Sequence, residues 1–190
     1  MKKIISLITL SIFVIACKSE PKKSDSKTNN KAVSVEKTQE SKSLSIHLNP
    51  KSDSNVNGVV HFTETNGMVE MNAKISGLSE GLHAIHIHQT SDCSSVDGKS
   101  AGGHWNPTNQ PHGKWGVETG YHKGDIGNFM VKNAEETIVQ FSTDEWCIGC
   151  GDPAKDILGK SVIIHQGTDD YTSQPSGAAG SRVSCAGIIE

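Results

Sequence analysis

From residue 43 to its end, this sequence has no long stretch with the 3.6-residue hydrophobic period of a helix. It has short runs in which apolar and polar residues alternate, each broken off by Gly, Asn, Asp or Pro. The early runs are "LSIHLN" (44–49), "NGVVHFTE" (57–64), "MVEMNAKIS" (68–76) and "LHAIHIHQ" (82–89). The late ones are "TIVQFS" (137–142), "SVIIH" (161–165) and "RVSCAGII" (182–189). Short strands at regular spacing, separated by turn residues, predict an all-β sandwich or barrel. Two long irregular stretches interrupt the pattern, 90–127 and 166–181. Loops of that length in a compact β domain carry function or are ordered by a ligand.

The strand "GLHAIHIH" places three histidines within six residues. Side chains alternate across a strand, so His86 and His88 share one face, with Ile85, Ile87 and His83 on the other. A polar outer face would explain that pair taken alone. The long loop supplies more donors: His104 in "SAGGHWNP", His112 in "QPHGKW", and His122 with Asp125 in "YHKGDIG". His165 ends the apolar run "SVIIH". Seven donors of metal-ligand type are therefore His86, His88, His104, His112, His122, Asp125 and His165. His47, His61 and His83 read as structural.

The first residues, "MKKIISLITLSIFVIAC", have a secretory layout of two lysines, an apolar run and a cysteine. The run is too short to span a bilayer as a helix, so residues 1–16 read as a signal peptide. "VIAC" resembles a bacterial lipobox, which implies cleavage before Cys17 and lipid attachment there. Residues 17–43 follow as a lipidated cysteine and polar tether, with too little apolar surface to support ordering. That leaves 44–190 as one domain. Residues 43–190 carry nine Lys or Arg against seventeen acids, a formal charge of −8, which is no nucleic-acid footprint. Their four cysteines, an even number in an exported chain, suggest disulfides.

The pieces "GLHAIHIHQ", "SAGGHWNP", "HKGDIGN", "VIIH", "DDYTSQPSGAAGSR" and "CAGII", in that order, resemble the copper/zinc superoxide dismutases, in particular their bacterial exported branch. The resemblance implies a Greek-key β-sandwich or barrel of about eight antiparallel strands, with copper and zinc as cofactors and superoxide as substrate. It implies copper on His86, His88, His104 and His165, and zinc on His104, His112, His122 and Asp125. Seven residues then fill eight positions, which His104 resolves by using both ring nitrogens. Asp169 matches a carboxylate linking a copper histidine to a zinc histidine, while its neighbour Asp170 reads as a loop acid. Arg182, the only arginine in the chain, matches the family's anion-holding residue beside copper. With the redox cycle at copper, His104 and Arg182 are the expected catalytic residues.

The family also implies a disulfide between Cys93 and Cys185. Cys147 and Cys150, in "EWCIGC", depart from its commonest pattern. They read as a local disulfide, with metal binding or copper delivery as the alternative. The expected setting is the bacterial cell envelope, with a membrane-anchored lipoprotein facing the periplasm or the cell exterior, as a monomer or homodimer. A non-catalytic copper-buffering protein is the competing reading, and the full donor set with Arg182 argues against it.

Overall fold

The computed structural model describes residues 40–133 and 135–190. The expected signal peptide, Cys17 and most of the tether lie outside them. Eight strands run in chain order: β1 Ser41–Pro50, β2 Asn57–Thr65, β3 Met68–Ser76, β4 Gly81–His88, β5 Gly127–Val131, β6 Thr137–Thr143, β7 Ser161–His165 and β8 Arg182–Gly187. They form one antiparallel sheet in the order β5-β4-β7-β8-β1-β2-β3-β6, curled into a nearly closed barrel. β1, β2 and β3 are a meander, and the chain then crosses to the far side of the order to lay down β4, which makes the topology a Greek key. Thr65 pairs with Met68 across a two-residue loop in which Asn66 and Gly67 have φ of 53° and 79°. Positive φ at both central residues is what a tight hairpin needs to match strand twist, and Asn-Gly supplies it.

The two halves of the sheet differ in how they bury side chains. β3 alternates strictly, with Val69, Met71, Ala73 and Ile75 buried and the residues between them wetter. β1 and β2 contribute Ile46, Leu48, Val60 and Phe62 to the same interior. β4 and β7 are buried on both faces. Their register sets Ile85 against Ile164 and Ile87 against Val162 on the inner side, and His86 against Ile163 and His88 against Ser161 on the outer side. Each fully buried aliphatic side chain contributes about 1.5–3 kcal/mol, so the inner face alone is enough to hold β4 and β7 in place. That leaves the outer face free to carry histidines, provided something covers it.

The long loops provide the cover. In the first, a short 3-10 turn at Lys99–Ala101 places Ala101 in a small outer cluster with Ile163 and Cys185. Cys93 is joined to Cys185 across 92 residues, fastening this loop to β8. Cys147 is joined to Cys150 across three.

Two features differ from the sequence reading. β5 falls where no strand was expected, because "GNFMV" is short and only loosely alternating. β1 starts at Ser41, ahead of Leu44, because Ser41 and Lys42 pair with Thr65 and Glu64 of β2 despite their polarity.

The spans of the two bridges imply unequal stabilisation. Loop-closure entropy assigns about 4–5 kcal/mol to the Cys93–Cys185 bridge and about 2 kcal/mol to the Cys147–Cys150 bridge. Replacing Cys93 and Cys185 by serine should therefore lower unfolding free energy at least twice as much as replacing Cys147 and Cys150. Urea titration of the two double variants in oxidising buffer checks this, and equal losses would contradict it.

Candidate metal centre

His86 and His88 stand on the outer face of β4, and His165 joins them at the end of β7, where a bulge follows Ile164. The remaining donors are brought in by backbone pairing along the end of β4. Gly103 O accepts from Gln89 N (3.0 Å), Ile87 O from Trp105 N (2.9 Å), and Gly124 O from Ile87 N (2.9 Å). Trp105 O accepts from Gly124 N (3.0 Å), so the His104 and His122–Asp125 segments lie beside each other and against β4. His112 is fixed from the other long loop: its N–H donates to Gln174 Oε1 (2.9 Å), and Gln174 Nε2 donates back to its carbonyl (3.0 Å).

The result is two groups that share one residue. His86, His88, His104 and His165 offer donor atoms all within 4.8 Å of one another, and so do His104, His112, His122 and Asp125. Ring centroids of His86 and His104 lie 4.0 Å apart, and those of His104 and His112 5.2 Å. All seven residues are buried.

The outer nitrogens have acceptors. His86 Nε2 donates to Asp169 Oδ2 (2.8 Å) and His112 Nε2 to Asp169 Oδ1 (2.9 Å), so one carboxylate links the two groups. His88 Nδ1 faces the carbonyl of Gly102 (3.0 Å) and His165 Nδ1 that of Gly180 (3.4 Å). A neutral imidazole that donates outward carries a lone pair on its inner nitrogen. His86 Nδ1 and His104 Nε2 are buried with no hydrogen-bond partner, while His112 Nδ1 and His122 Nδ1 face only the Asp125 carboxylate, at 3.0 and 3.3 Å. Buried nitrogens without protein partners, converging with a carboxylate, are the donor chemistry that copper and zinc take. The residues present therefore fit both ions.

Proton affinities follow from this packing. Burial pushes His88 and His165 well below the ordinary histidine value, with neighbouring imidazoles adding to it. Burial also lowers His86 against the pull of Asp169, and lowers His104 to about 4 against the pull of Asp125. His112 goes the other way, up to about 9, because its bonds to Asp125 and Asp169 outweigh burial. Asp125 and Asp169 are held below the usual carboxylate range, burial being overcome by their histidine partners.

Arg182 lies at the wall of a cleft of about 670 Å³, lined also by His88, His104, His165 and Lys99. Its Nη1 donates to Gly98 O (2.8 Å), which aims the guanidinium without neutralising it. Lys99 pairs instead with Asp97 (3.0 Å).

The sequence-derived donors all converge, and the histidines set aside do not join them. His83 faces inward, its ring nitrogens against the carbonyls of Ser79 (2.9 Å) and His165 (3.2 Å). His61 is exposed beside Ser45, His47 is exposed, and Asp170 caps a turn at Thr172 and Ser173. Three supporting residues had no role in the sequence reading. Asn128 clamps Asp169 with two bonds of 2.8 Å from β5, and Gln174 fixes His112. Gly177 leaves room for the link itself, since a Cβ there would collide with Asp169 Oδ1. All three lie in stretches that carry the family resemblance, Asn128 closing "HKGDIGN" and Gln174 and Gly177 within "DDYTSQPSGAAGSR", although nothing in those stretches states their roles.

Comparison with known proteins covers the same region. A family model of copper/zinc superoxide dismutase matches residues 56–188. The extracellular superoxide dismutase [Cu-Zn] of Brugia pahangi is 32% identical over 171 residues, spanning 85% of this chain and 82% of that protein. Superoxide dismutase [Cu-Zn] 3 of Arabidopsis thaliana is 37% identical over 147 residues, 72% of this chain and 84% of that one. The crystal structure of a SOD-like protein from Bacillus subtilis superposes with a TM-score of 0.67 at 27% identity, covering 76% of this chain and 97% of that one. The matched stretch carries seven of the eight strands and every residue of both donor groups, and on that ground the chain belongs to the copper/zinc superoxide dismutase family.

Proposed function

We propose that this protein converts superoxide to oxygen and hydrogen peroxide, with copper held by His86, His88, His104 and His165 and zinc by His104, His112, His122 and Asp125. The observation that carries this reading is His104. Its Nδ1 faces Asp125 Oδ1 at 2.8 Å within one donor group, while its Nε2, on the opposite side of the ring, is buried without a partner. When bound, copper supplies one-electron redox chemistry and zinc, which has none, supplies fixed charge.

The chain's own residues do the rest. Asp169 fixes the tautomers of His86 and His112, so both present Nδ1 inward. His104 Nε2 is the atom able to take a proton and give it up toward reduced oxygen. Arg182 attracts and orients a small anion at the cleft with a charge that does not titrate away near neutrality. A metal-buffering role needs no such cation, and Arg182 favours the enzyme over it.

The same proposal extends to location. A signal peptide at 1–16, lipid on Cys17 and a tether reaching to the start of β1 at Ser41 would place the enzyme at the bacterial envelope, where it would protect the envelope from superoxide. The two disulfides in the described residues support export.

The copper- and zinc-loaded full chain should accelerate superoxide decay, the rate constant falling as ionic strength rises. Arg182→Leu should lower that constant roughly ten-fold and flatten its salt dependence while copper stays bound. Pulse radiolysis checks both, and a folded, metal-loaded protein without activity would refute the reading. Asp169→Asn should weaken metal retention by about 10–100-fold, measured by competition with a chelator.

Acid should act on the metal-free chain with a definite sign. His86, His88, His104 and His165 are neutral when folded and take protons when unfolded below pH 6.5. Their contribution is full above 6.5 and is lost as pH falls toward about 4, the value for His104. For His104 alone this is on the order of 3 kcal/mol. His112 contributes the opposite way, fully below 6.5 and lost as pH rises through about 9. The urea midpoint of the metal-free chain should thus be lower at pH 5 than at pH 7.5, and a flat profile would contradict these assignments.

A further inference from the structure

Among the described residues, one more cluster of ligating side chains lies outside the histidine groups: Cys147, Cys150 and Asp156, in the loop after β6. Its bridge joins residues only three apart. A bridge of that span constrains the unfolded chain less than half as much as Cys93–Cys185 does, so stability is the weaker reason for it.

The two sulfurs differ in access. Cys147 is 5% exposed, between the buried side chains of Trp146 and Ile148, whereas Cys150 is exposed. Access decides which sulfur an incoming thiolate can reach.

The loop is also held without the bridge. Cys147 N donates to Lys155 O (2.8 Å) and its carbonyl accepts from Ile157 N (3.1 Å). Asp156 accepts from the backbone N–H of Gly149 (2.9 Å), Gly151 (2.8 Å) and Leu158 (3.0 Å). Ile148 is fastened at both ends, its N–H to Glu64 Oε2 (2.8 Å) and its carbonyl to Lys42 Nζ (2.7 Å). Opening the S–S bond would therefore leave both thiols near each other, ready to close again.

We propose that the Cys147–Cys150 bridge is a thiol–disulfide exchange site for an external dithiol, attacked at Cys150 Sγ. A thiolate of the dithiol bonds to Cys150 Sγ, the bond to Cys147 Sγ breaks, and its electron pair leaves with Cys147 as thiolate. The partner's second thiolate then attacks the partner's own sulfur in the mixed disulfide and expels Cys150 as thiolate. The partner departs as a disulfide, two electrons have passed to this chain, and both cysteines take up protons.

The residues just before the bridge also brace a donor segment. Trp146 Nε1 donates to Lys123 O (2.8 Å), and Glu145 accepts from Tyr121 OH (2.7 Å) and from Lys123 Nζ. Lys123 follows His122, so the exchange site abuts one donor group through its own backbone neighbours.

The experiment pulses the full chain, metal-loaded and metal-free, with dithiothreitol, quenches in acid, alkylates free thiols and maps them by mass spectrometry. Cys147 and Cys150 should become alkylated roughly ten-fold faster than Cys93 and Cys185, because Cys93, the more accessible sulfur of that bridge, is only partly exposed and packs against Ala101, Ile163 and Cys185. Equal rates, or earlier release of Cys93 and Cys185, overturn the proposal. With glutathione as the probe, the mixed disulfide should form on Cys150 and leave Cys147 open to alkylation. An adduct on Cys147 instead overturns the direction of attack.

Discussion

The carboxylate of Asp169 is the constraint on which the rest of this site depends. It is nearly inaccessible, and it accepts from His86 on one oxygen and from His112 on the other. An unpaired charge at that depth would be strongly destabilising. Paired with two imidazoles, it decides which nitrogen of each ring carries the proton, and so which nitrogen turns inward. Asn128 in turn holds the backbone of Asp169, and the N–H of Tyr171 donates to its carboxylate. Elements far apart in sequence, β4, β5 and both long loops, are thus tied at one point.

Such an arrangement needs a sheet with two different faces. The inner face of β4 and β7 is ordinary aliphatic packing, which sets the register and stiffness of the strands. The outer face inherits that stiffness but carries imidazoles, and loop backbone rather than solvent lies against it. The cover makes neutrality at His86, His88, His104 and His165 a property of the fold, since burial disfavours the imidazolium, whereas His112, between two carboxylates, goes the other way. The Cys93–Cys185 bridge fastens the cover to β8 close to Arg182, so the segment that shapes the cleft is anchored on the strand carrying its cation.

Much of this is legible in the amino-acid order. Alternation with turn residues identifies most strands, because a half-buried antiparallel strand writes its two faces into the sequence. The donors are legible because seven metal-type side chains are too many for incidental use. β5 is not, since five residues are too few for a period to declare itself, and its position comes from pairing with β4. Asn128, Gln174 and Gly177 act through contacts to residues distant in sequence, or through the room a missing Cβ leaves, and a linear pattern carries no record of either. The polar start of β1 belongs to the same class, since Ser41 and Lys42 are extended by their partners in β2.

The charge distribution closes the argument about substrate. A domain with a formal −8 repels anions at long range, yet exposed charges are screened beyond about 10 Å in ordinary salt. What an anion meets at the cleft is local. Lys99 pairs there with Asp97, whereas Arg182 bonds to a carbonyl that carries no net charge and feels Asp97 without forming an ion pair with it. Burial lowers the proton affinity of that guanidinium but leaves it charged at any pH where the chain is folded. A fixed cation at the cleft wall beside the histidine groups gives an anion a place to bind next to them. Attraction of an anion and tolerance of an acidic surface therefore have one cause: the decisive charge is inside the cleft, within a screening length of the reacting site.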